Sequence, residues 1–222
     1  PAGAALVDVQ VELAHRAKRG DDISIVIVGI AEQLPDEFES RFLADLRHVA
    51  TATMRFHRKI DHFGTEHRGR PISYAHQAER DGVASALLAA EESVTDDEFL
   101  VMLGDNVFRA NIGAVVGAFE SDETDGAVLV EDVPAEEAGR YGVCRLDEDG
   151  QIEHIVEKPD DPPSTLVATG LYAFTDDVFD ACRRIQPSDR GEYEISDAIN
   201  EYATGHDVEA VSLAGWRVDV GY

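Results

Sequence analysis

"FLVMLGDNVF", residues 99–108, sets five apolar side chains in a row, Phe99 to Leu103, and follows them without a spacer by Gly104, Asp105 and Asn106. An apolar run of this length closed by a turn signal reads as a strand covered on both faces, which is the habit of parallel sheets. In such sheets ligands bind beyond the carboxyl ends of the strands, and that is where Asp105 falls. Asp105 would serve equally well as the cap of a helix expected around residues 110–119, or as a turn residue, and this stretch alone does not choose.

Working outward, "ISIVIVG" (residues 23–29) reads as the first strand, followed by a helical stripe of Phe38, Phe42, Leu43, Leu46 and Val49. A strand is expected over residues 51–56, then a polar connection, then a strand at "PISYAH" (71–76) and an alanine-rich helix over 83–91 that feeds the strand ending at Asp105. This alternation predicts an α/β fold with a Rossmann-like, doubly wound, mostly parallel sheet. Beyond residue 125 the pattern changes. "GAVLVE" (126–131) is a strand, "YGVCRL" (141–146) and "QIEHIVE" (151–157) flank the turn "DEDG" as a small inserted β-hairpin, and "VATGLYAF" (167–174) is again a strand. Helices are expected at about 176–185 and 194–203, and the chain closes with "VEAVSL" (208–213) and "WRVDVGY" (216–222). The proline-rich "KPDDPPS" (158–164) is a loop within one domain, because regular structure resumes at once.

The chain has 222 residues, with 45 acidic against 19 basic side chains and a formal net charge of −26. Nucleic acid and anionic membranes both require positive surface and are excluded as partners. Lysine is confined to Lys18, Lys59 and Lys158, while 44% of residues are hydrophobic, so the acid decorates a folded protein rather than a disordered tail. This composition predicts adaptation to a high-salt interior, where screening removes most of the self-repulsion. Cys144 and Cys182 are too few for a disulfide framework and lie in no metal-ligand spacing. With no apolar run of membrane-spanning length, a soluble protein of the reducing cytoplasm is expected, and a homo-oligomer is left open. His57, His62 and His67 recur at a spacing of five, which puts them on different faces of any helix, and they read as solvated loop residues.

Five further stretches carry informative residues at strand ends, within apolar strands or at a helix start. "RYGVC" (140–144) has Gly142 beside an aromatic, which fits either a close backbone approach to a ligand or a bulge. "VEKPDDPPS" (156–164) puts Glu157 and Lys158 at a strand end, as a phosphate contact or a surface ion pair. "ATGLY" (168–172) interrupts an apolar strand with Thr169 and Gly170, and "PSDRGEYEISD" (187–197) brings Arg190 to a helix start, where an anion can be held. "WRVDVGY" repeats the opening theme, with Asp219 after a short apolar strand. Two aspartates at two strand ends could converge on one divalent cation, and hard oxygen ligands favour magnesium.

In this order the segments resemble the sugar-nucleotide pyrophosphorylase family of nucleotidyltransferases, in its glucose-1-phosphate thymidylyltransferase-like branch, over about residues 42–222. The resemblance implies that Gln77 and Gly82 of "YAHQAERDGVASAL" read the base, and that Asp105 of "LGDN" and Asp219 of "VDVG" bind Mg2+. It assigns Tyr141 and Gly142, Glu157 and Lys158, Thr169 and Gly170, and Arg190 to the sugar phosphate. The implied substrates are a nucleoside triphosphate (dTTP or UTP) and a hexose 1-phosphate. The implied organisation is a single domain over 1–222, with a nucleotide-binding half to about residue 108 and a sugar-phosphate half after it. Catalysis would fall to Asp105, Lys158, Arg190 and Asp219, through placement and charge neutralisation rather than covalent chemistry.

The same resemblance implies a glycine-rich loop of the type G-x-G-T-R after the first strand, cradling the triphosphate. The chain instead reads "GIAEQLPDEF" (29–38), without a second glycine, an arginine or a lysine. Two readings stay open: a chain whose loop and ends are missing from this sequence, which is favoured, or a non-catalytic relative that binds or senses a nucleotide sugar. A glycosyltransferase with a metal-binding aspartate is a weaker third, since "EKP" and "RGEYEISD" have no role in it.

Overall fold

The structure is a computed structural model of the chain and describes residues 24–28, 49–52, 66–67, 70–75, 77, 79, 81–94, 96–110, 113–119 and 124–219. Residues 38–48 of the expected helical stripe and the stretch "GIAEQLPDEF" lie outside the described residues, as do residues 53–56 of the second expected strand. Val49, read as the last residue of that stripe, instead opens β2 (Val49–Ala52) through its pairing with the first strand.

Four strands form a parallel block: β1 (Ser24–Val28), β2 (Val49–Ala52), β4 (Arg70–Ala75) and β5 (Glu98–Leu103), in the order β4-β2-β1-β5. The two-residue β3 (Glu66–His67) pairs antiparallel with β4 at the edge and takes in His67. Beyond β5 the parallel habit stops. β10 (Leu166–Thr175) lies antiparallel between β5 and β7 (Gly126–Asp132), and β11 (Val208–Ser212) pairs parallel with β7 at the far edge. The doubly wound α/β sheet is therefore mixed, and β10 is the strand that joins its two halves.

Apolar periodicity places these elements as expected. Phe99, Leu100, Val101 and Met102 of β5 are all buried, and Phe99 stacks on Phe179 at 5.3 Å between ring centroids. Phe179 belongs to α4 (Asp177–Arg184), whose apolar stripe Val178, Phe179, Ala181 and Cys182 covers the sheet. α1 (Val83–Ala90) and α5 (Ile195–Tyr202) complete that layer, with Tyr202 edge-on to Phe174 at 5.5 Å. The interior is dry enough to hold the Cys144 and Cys182 thiols up at about 12, so neither is a nucleophile.

The expected hairpin forms from β8 (Gly142–Leu146) and β9 (Ile152–Glu157), with Asp147 accepting the amides of Asp149 and Gln151 in its turn. It joins the main sheet through Val143 against Val167 of β10. Asn200 of α5 fastens it from the other side, accepting from the Ile155 amide at 2.7 Å and donating to the Ile155 carbonyl at 2.8 Å.

Two features depart from the sequence reading. Between Asp105 and the helix α2 (Gly113–Phe119) lies a further strand, β6 (Asn106–Ala110), so Asp105 sits in the tight turn joining β5 to β6 and caps no helix. The final strand β12 (Gly215–Asp219) does not enter the main sheet but pairs antiparallel with β6 in a separate ribbon. "NVFRA" was legible neither as an apolar run nor as a clean alternation. Its strand character comes from the partner that arrives from the other end of the chain.

Candidate active site

The ribbon's register sets Asp219 opposite Asn106, next to Asp105. Both carboxylates line one cavity of about 310 Å³, whose wall also carries Lys158 and Arg190. Residues 105 and 219 thus meet from two strand ends, one strand belonging to the sheet and the other to the ribbon. Burial pushes the Asp105 carboxyl above its usual range, and the neighbouring Asp219 charge pushes it further, against the opposing Asn106 hydrogen bond and Arg217 charge.

The sugar-phosphate candidates converge for reasons that the strand registers explain. Gly142 lies opposite Glu157 across the hairpin, so Tyr141 and Lys158 are also neighbours, and the Lys158 amide donates to the Tyr141 carbonyl at 3.0 Å. A Cβ on Gly142 would come within 3.2 Å of Glu157 Oε2 and 3.1 Å of Ile155 Cγ2, a tight fit that those two side chains would have to ease. Lys158 itself adopts φ +43°, a left-handed conformation, at the hairpin end where its amide is tied to the Tyr141 carbonyl. Gly170, at φ +83°, sits in the irregular stretch of β10 between Ala168 and Tyr172, where a Cβ would meet Leu103 and Asn106 at 3.0–3.1 Å. The bulge brings the backbone of β10 against the strand end that carries Asp105.

Thr169, Gly170, Glu157, Tyr141 and Gly142 all line the same cavity. Thr169 is buried and its hydroxyl donates to the Leu129 carbonyl of β7 at 2.8 Å, so it ties the bulge to the sheet as well as facing the cavity. Arg190 is held among carboxylates: Glu192 at 2.9 Å, Glu194 at 3.1 Å and Glu157 at 4.0 Å. Glu194 is itself buried, which pushes its carboxyl up against the opposing Ser188 and Arg190 contacts.

Gln77 and Gly82 are brought together just before Val83, which lines the cavity. The Gln77 amide nitrogen donates to Asp81 Oδ1 at 3.0 Å and to the Gly82 carbonyl at 2.9 Å, and neither residue is among the described lining of the cavity, which begins at Val83. Gly82, at φ +118°, is pressed against the backbone of Tyr193, with the Tyr193 amide donating to the Asp81 carbonyl and the Ala84 amide to the Tyr193 carbonyl. Asp81, Gly82 and Ala84 therefore brace the loop that carries Arg190, and Gln77 holds Asp81 and Gly82 in turn.

The residue that sequence reasoning missed is Arg217. Its side chain is 5% exposed; Nε pairs with Glu131 at 3.1 Å, Nη1 donates to Asn106 Oδ1 at 2.8 Å and lies 3.8 Å from Asp219 Oδ2, and the guanidinium covers the Tyr141 ring at 4.8 Å. The signal was present: Arg217 stands two residues before Asp219 in one strand, so both point to the same face. Among the described residues no group of three or more His, Cys, Asp and Glu side chains is arranged to hold a metal. Nor is any described helix long and apolar enough to cross a membrane.

Comparison with known proteins gives the chain's family. Residues 35–222 match the nucleotidyl transferase family. Over 164 residues the chain is 51% identical to a UTP–glucose-1-phosphate uridylyltransferase of Haloferax volcanii, covering 73% of this chain and 67% of that relative. A glucose-1-phosphate thymidylyltransferase of Streptomyces antibioticus is 35% identical over 154 residues, which span 69% of this chain but only 43% of that protein. The chain thus spans less than half the length of the second relative. A crystal structure of UDP-glucose pyrophosphorylase complexed with UDP-glucose shares the fold, with a TM-score of 0.74 over 91% of this chain and 94% of that one, at 22% identity. The chain belongs to the nucleotidyl transferase family.

Proposed function

We propose that the protein is a sugar-1-phosphate nucleotidyltransferase that joins a nucleoside triphosphate to a hexose 1-phosphate and releases pyrophosphate. The observation that carries this reading is the convergence of Asp105 and Asp219 in one cavity with Lys158 and Arg190. UTP or dTTP is the expected triphosphate and glucose 1-phosphate the expected acceptor, in keeping with the names of the two relatives.

In this reading an oxygen of the sugar phosphate attacks the α-phosphorus in line. A new P–O bond forms there, the bond to the β-phosphate oxygen breaks, and its electron pair leaves with pyrophosphate. Lys158, fixed by its strained backbone, and Arg190 hold the attacking phosphate and offset its charge. Gly142 and Gly170 leave room at the wall, and Thr169 and Glu157 face the sugar. Gln77 and Gly82 are the residues we assign to reading the base.

Asp105 and Asp219 suit a magnesium ion: two hard oxygen donors, partly desolvated, whose mutual repulsion a cation would relieve, with phosphate oxygens and water to complete its shell. When bound, the ion supplies charge neutralisation at the α-phosphate. We read the chain as one domain with a nucleotide half to about residue 108 and a sugar-phosphate half after it. The reaction belongs to the cytoplasm, where nucleoside triphosphates are made. The net charge of −26 reads as salt adaptation, which the Haloferax relative supports.

The test is pyrophosphate release from the chain with UTP or dTTP, glucose 1-phosphate and Mg2+. Turnover that stops on chelation supports the proposal, and no release with any triphosphate overturns it. A second reading, nucleotide-sugar binding without turnover, is favoured by "GIAEQLPDEF", which carries none of the glycine-rich loop's cations. It predicts a rise in melting temperature on adding UDP-glucose with no pyrophosphate release.

A further inference from the structure

Arg217 poses a problem that the proposed reaction does not answer. Its side chain is 5% exposed, against 38% for Arg190 and 40% for Lys158, so although it reaches the cavity wall it offers a substrate far less surface than they do. Enclosing a guanidinium is costly unless its donors are matched. Here Nε and Nη1 donate to Glu131 on β7 and Asn106 on β6, Asp219 on its own β12 stands within ion-pair range, and the Tyr141 ring lies over the guanidinium face.

The Asn106 contact has a directional consequence. Because Asn106 Oδ1 accepts from Arg217 at 2.8 Å, its amide nitrogen is turned the other way, and it donates to Asp105 Oδ1 at 2.8 Å. Asn106 is 7% exposed and cannot turn freely toward water. The two carboxylates of the cavity are therefore joined by one polar relay, Asp105–Asn106–Arg217–Asp219. At 3.8 Å from Asp219, the guanidinium stands within ion-pair range yet beyond hydrogen-bond distance, so it tempers the acidic pair from the side.

We propose that Arg217, acting through Asn106, is a positioning residue that sets the spacing and orientation of Asp105 and Asp219 for a divalent cation. This rests on the reading of the cavity as a nucleotidyltransferase site. A planar fork suits the role, since it grips Glu131 and Asn106 in two directions at once while stacking on Tyr141, and a lysine ammonium does none of this in one geometry. Partners that orient metal ligands are typically worth about 10- to 100-fold in metal affinity or activity.

The experiment uses the full chain and four variants: Arg217→Met, Arg217→Lys, Asn106→Ala and the Arg217→Met/Asn106→Ala double. Mn2+ affinity is measured by electron paramagnetic resonance, and kcat and KM by pyrophosphate release. Arg217→Met should lose about 10-fold or more in Mn2+ affinity, with kcat falling while KM for the sugar phosphate moves less than about 3-fold. Arg217→Lys should stay impaired, and the double variant should be little worse than Arg217→Met, because the two residues act through one relay.

A folded Arg217→Met chain that keeps Mn2+ affinity within about twofold of wild type overturns the proposal, as do additive losses in the double variant or a wild type that binds no Mn2+. Should Arg217→Met fail to fold, Asn106→Ala carries the test: the same loss supports the relay, and unchanged affinity overturns it. If wild type releases no pyrophosphate but Arg217→Met still loses Mn2+ affinity, the positioning role stands and the enzymatic reading falls. If wild type turns over while Arg217→Met keeps its Mn2+ affinity, the enzymatic reading stands and the positioning role falls.

Discussion

Two hollows of the molecule are lined by arginine and carboxylates, and they differ in where the chain draws its partners. In the cavity, Arg217 joins residues of β6, β7 and β12 and is almost enclosed. In the second hollow, of about 260 Å³, Arg183 of α4 pairs with Asp180 one turn away and with Glu91, amid the half-buried Asp96 and the exposed acids Asp97 and Asp177. One cluster is assembled by long-range strand pairing and is desolvated. The other is a solvated helix surface whose charges salt will screen. The same residue types thus make a specific site only where the fold removes water and fixes direction.

That contrast is sharpened most by Asp105→Asn and Asp219→Asn, each expected to cost about 100- to 1,000-fold in kcat, measured by pyrophosphate release. Asp105→Asn should at the same time raise the melting temperature in metal-free buffer at neutral pH. A carboxylate whose folded pKa is raised favours the fold only while protonated, so its contribution is lost as pH rises through that value. The melting-temperature gain should accordingly be small in acid and grow with pH, and a destabilised Asp105→Asn at neutral pH would break the contrast.

Gly82→Ala comes next, because its Cβ would fall 2.3 Å from the Tyr193 carbonyl oxygen at a φ that side chains avoid. A loss of about 2 kcal/mol or more by denaturant titration is expected, with the Arg190 loop loosened in consequence. Thr169→Val should cost about 1–2 kcal/mol, since it leaves the buried Leu129 carbonyl without its donor. The smallest effect belongs to Arg183→Ala, with turnover unchanged and a melting-temperature change below that of Thr169→Val, vanishing in molar KCl. Added KCl should meanwhile raise the wild-type melting temperature, given the net charge of −26.

Much of this was legible in the residues themselves. Apolar runs marked β5, β7 and β10, the "DEDG" turn marked the hairpin, and strand-end polar residues marked Asp105, Glu157, Lys158 and Asp219. What local pattern could not carry was pairing. "NVFRA" gains its strand character from residues 215–219, so β6 was invisible and the helix after Asp105 was placed too near it. Arg217 was missed for the same reason, since an arginine in a short strand reads as surface until its three partners are known. Gln77 and Gly82 were legible as a pair, but their turn toward Tyr193 depends on a contact with a loop more than a hundred residues on.

The two-way grip of Asn200 on Ile155 bears on how this half of the molecule can move. Because α5 is clamped to the middle of β9, the hairpin end bearing Lys158 and the segment leading from Arg190 into α5 form a single leaf. If the cleft opens and closes, that leaf is expected to carry both cations together, changing their reach to Asp105 while preserving the gap between them. A phosphate caught by that pair would be carried inward as cargo rather than handed from one side chain to the next.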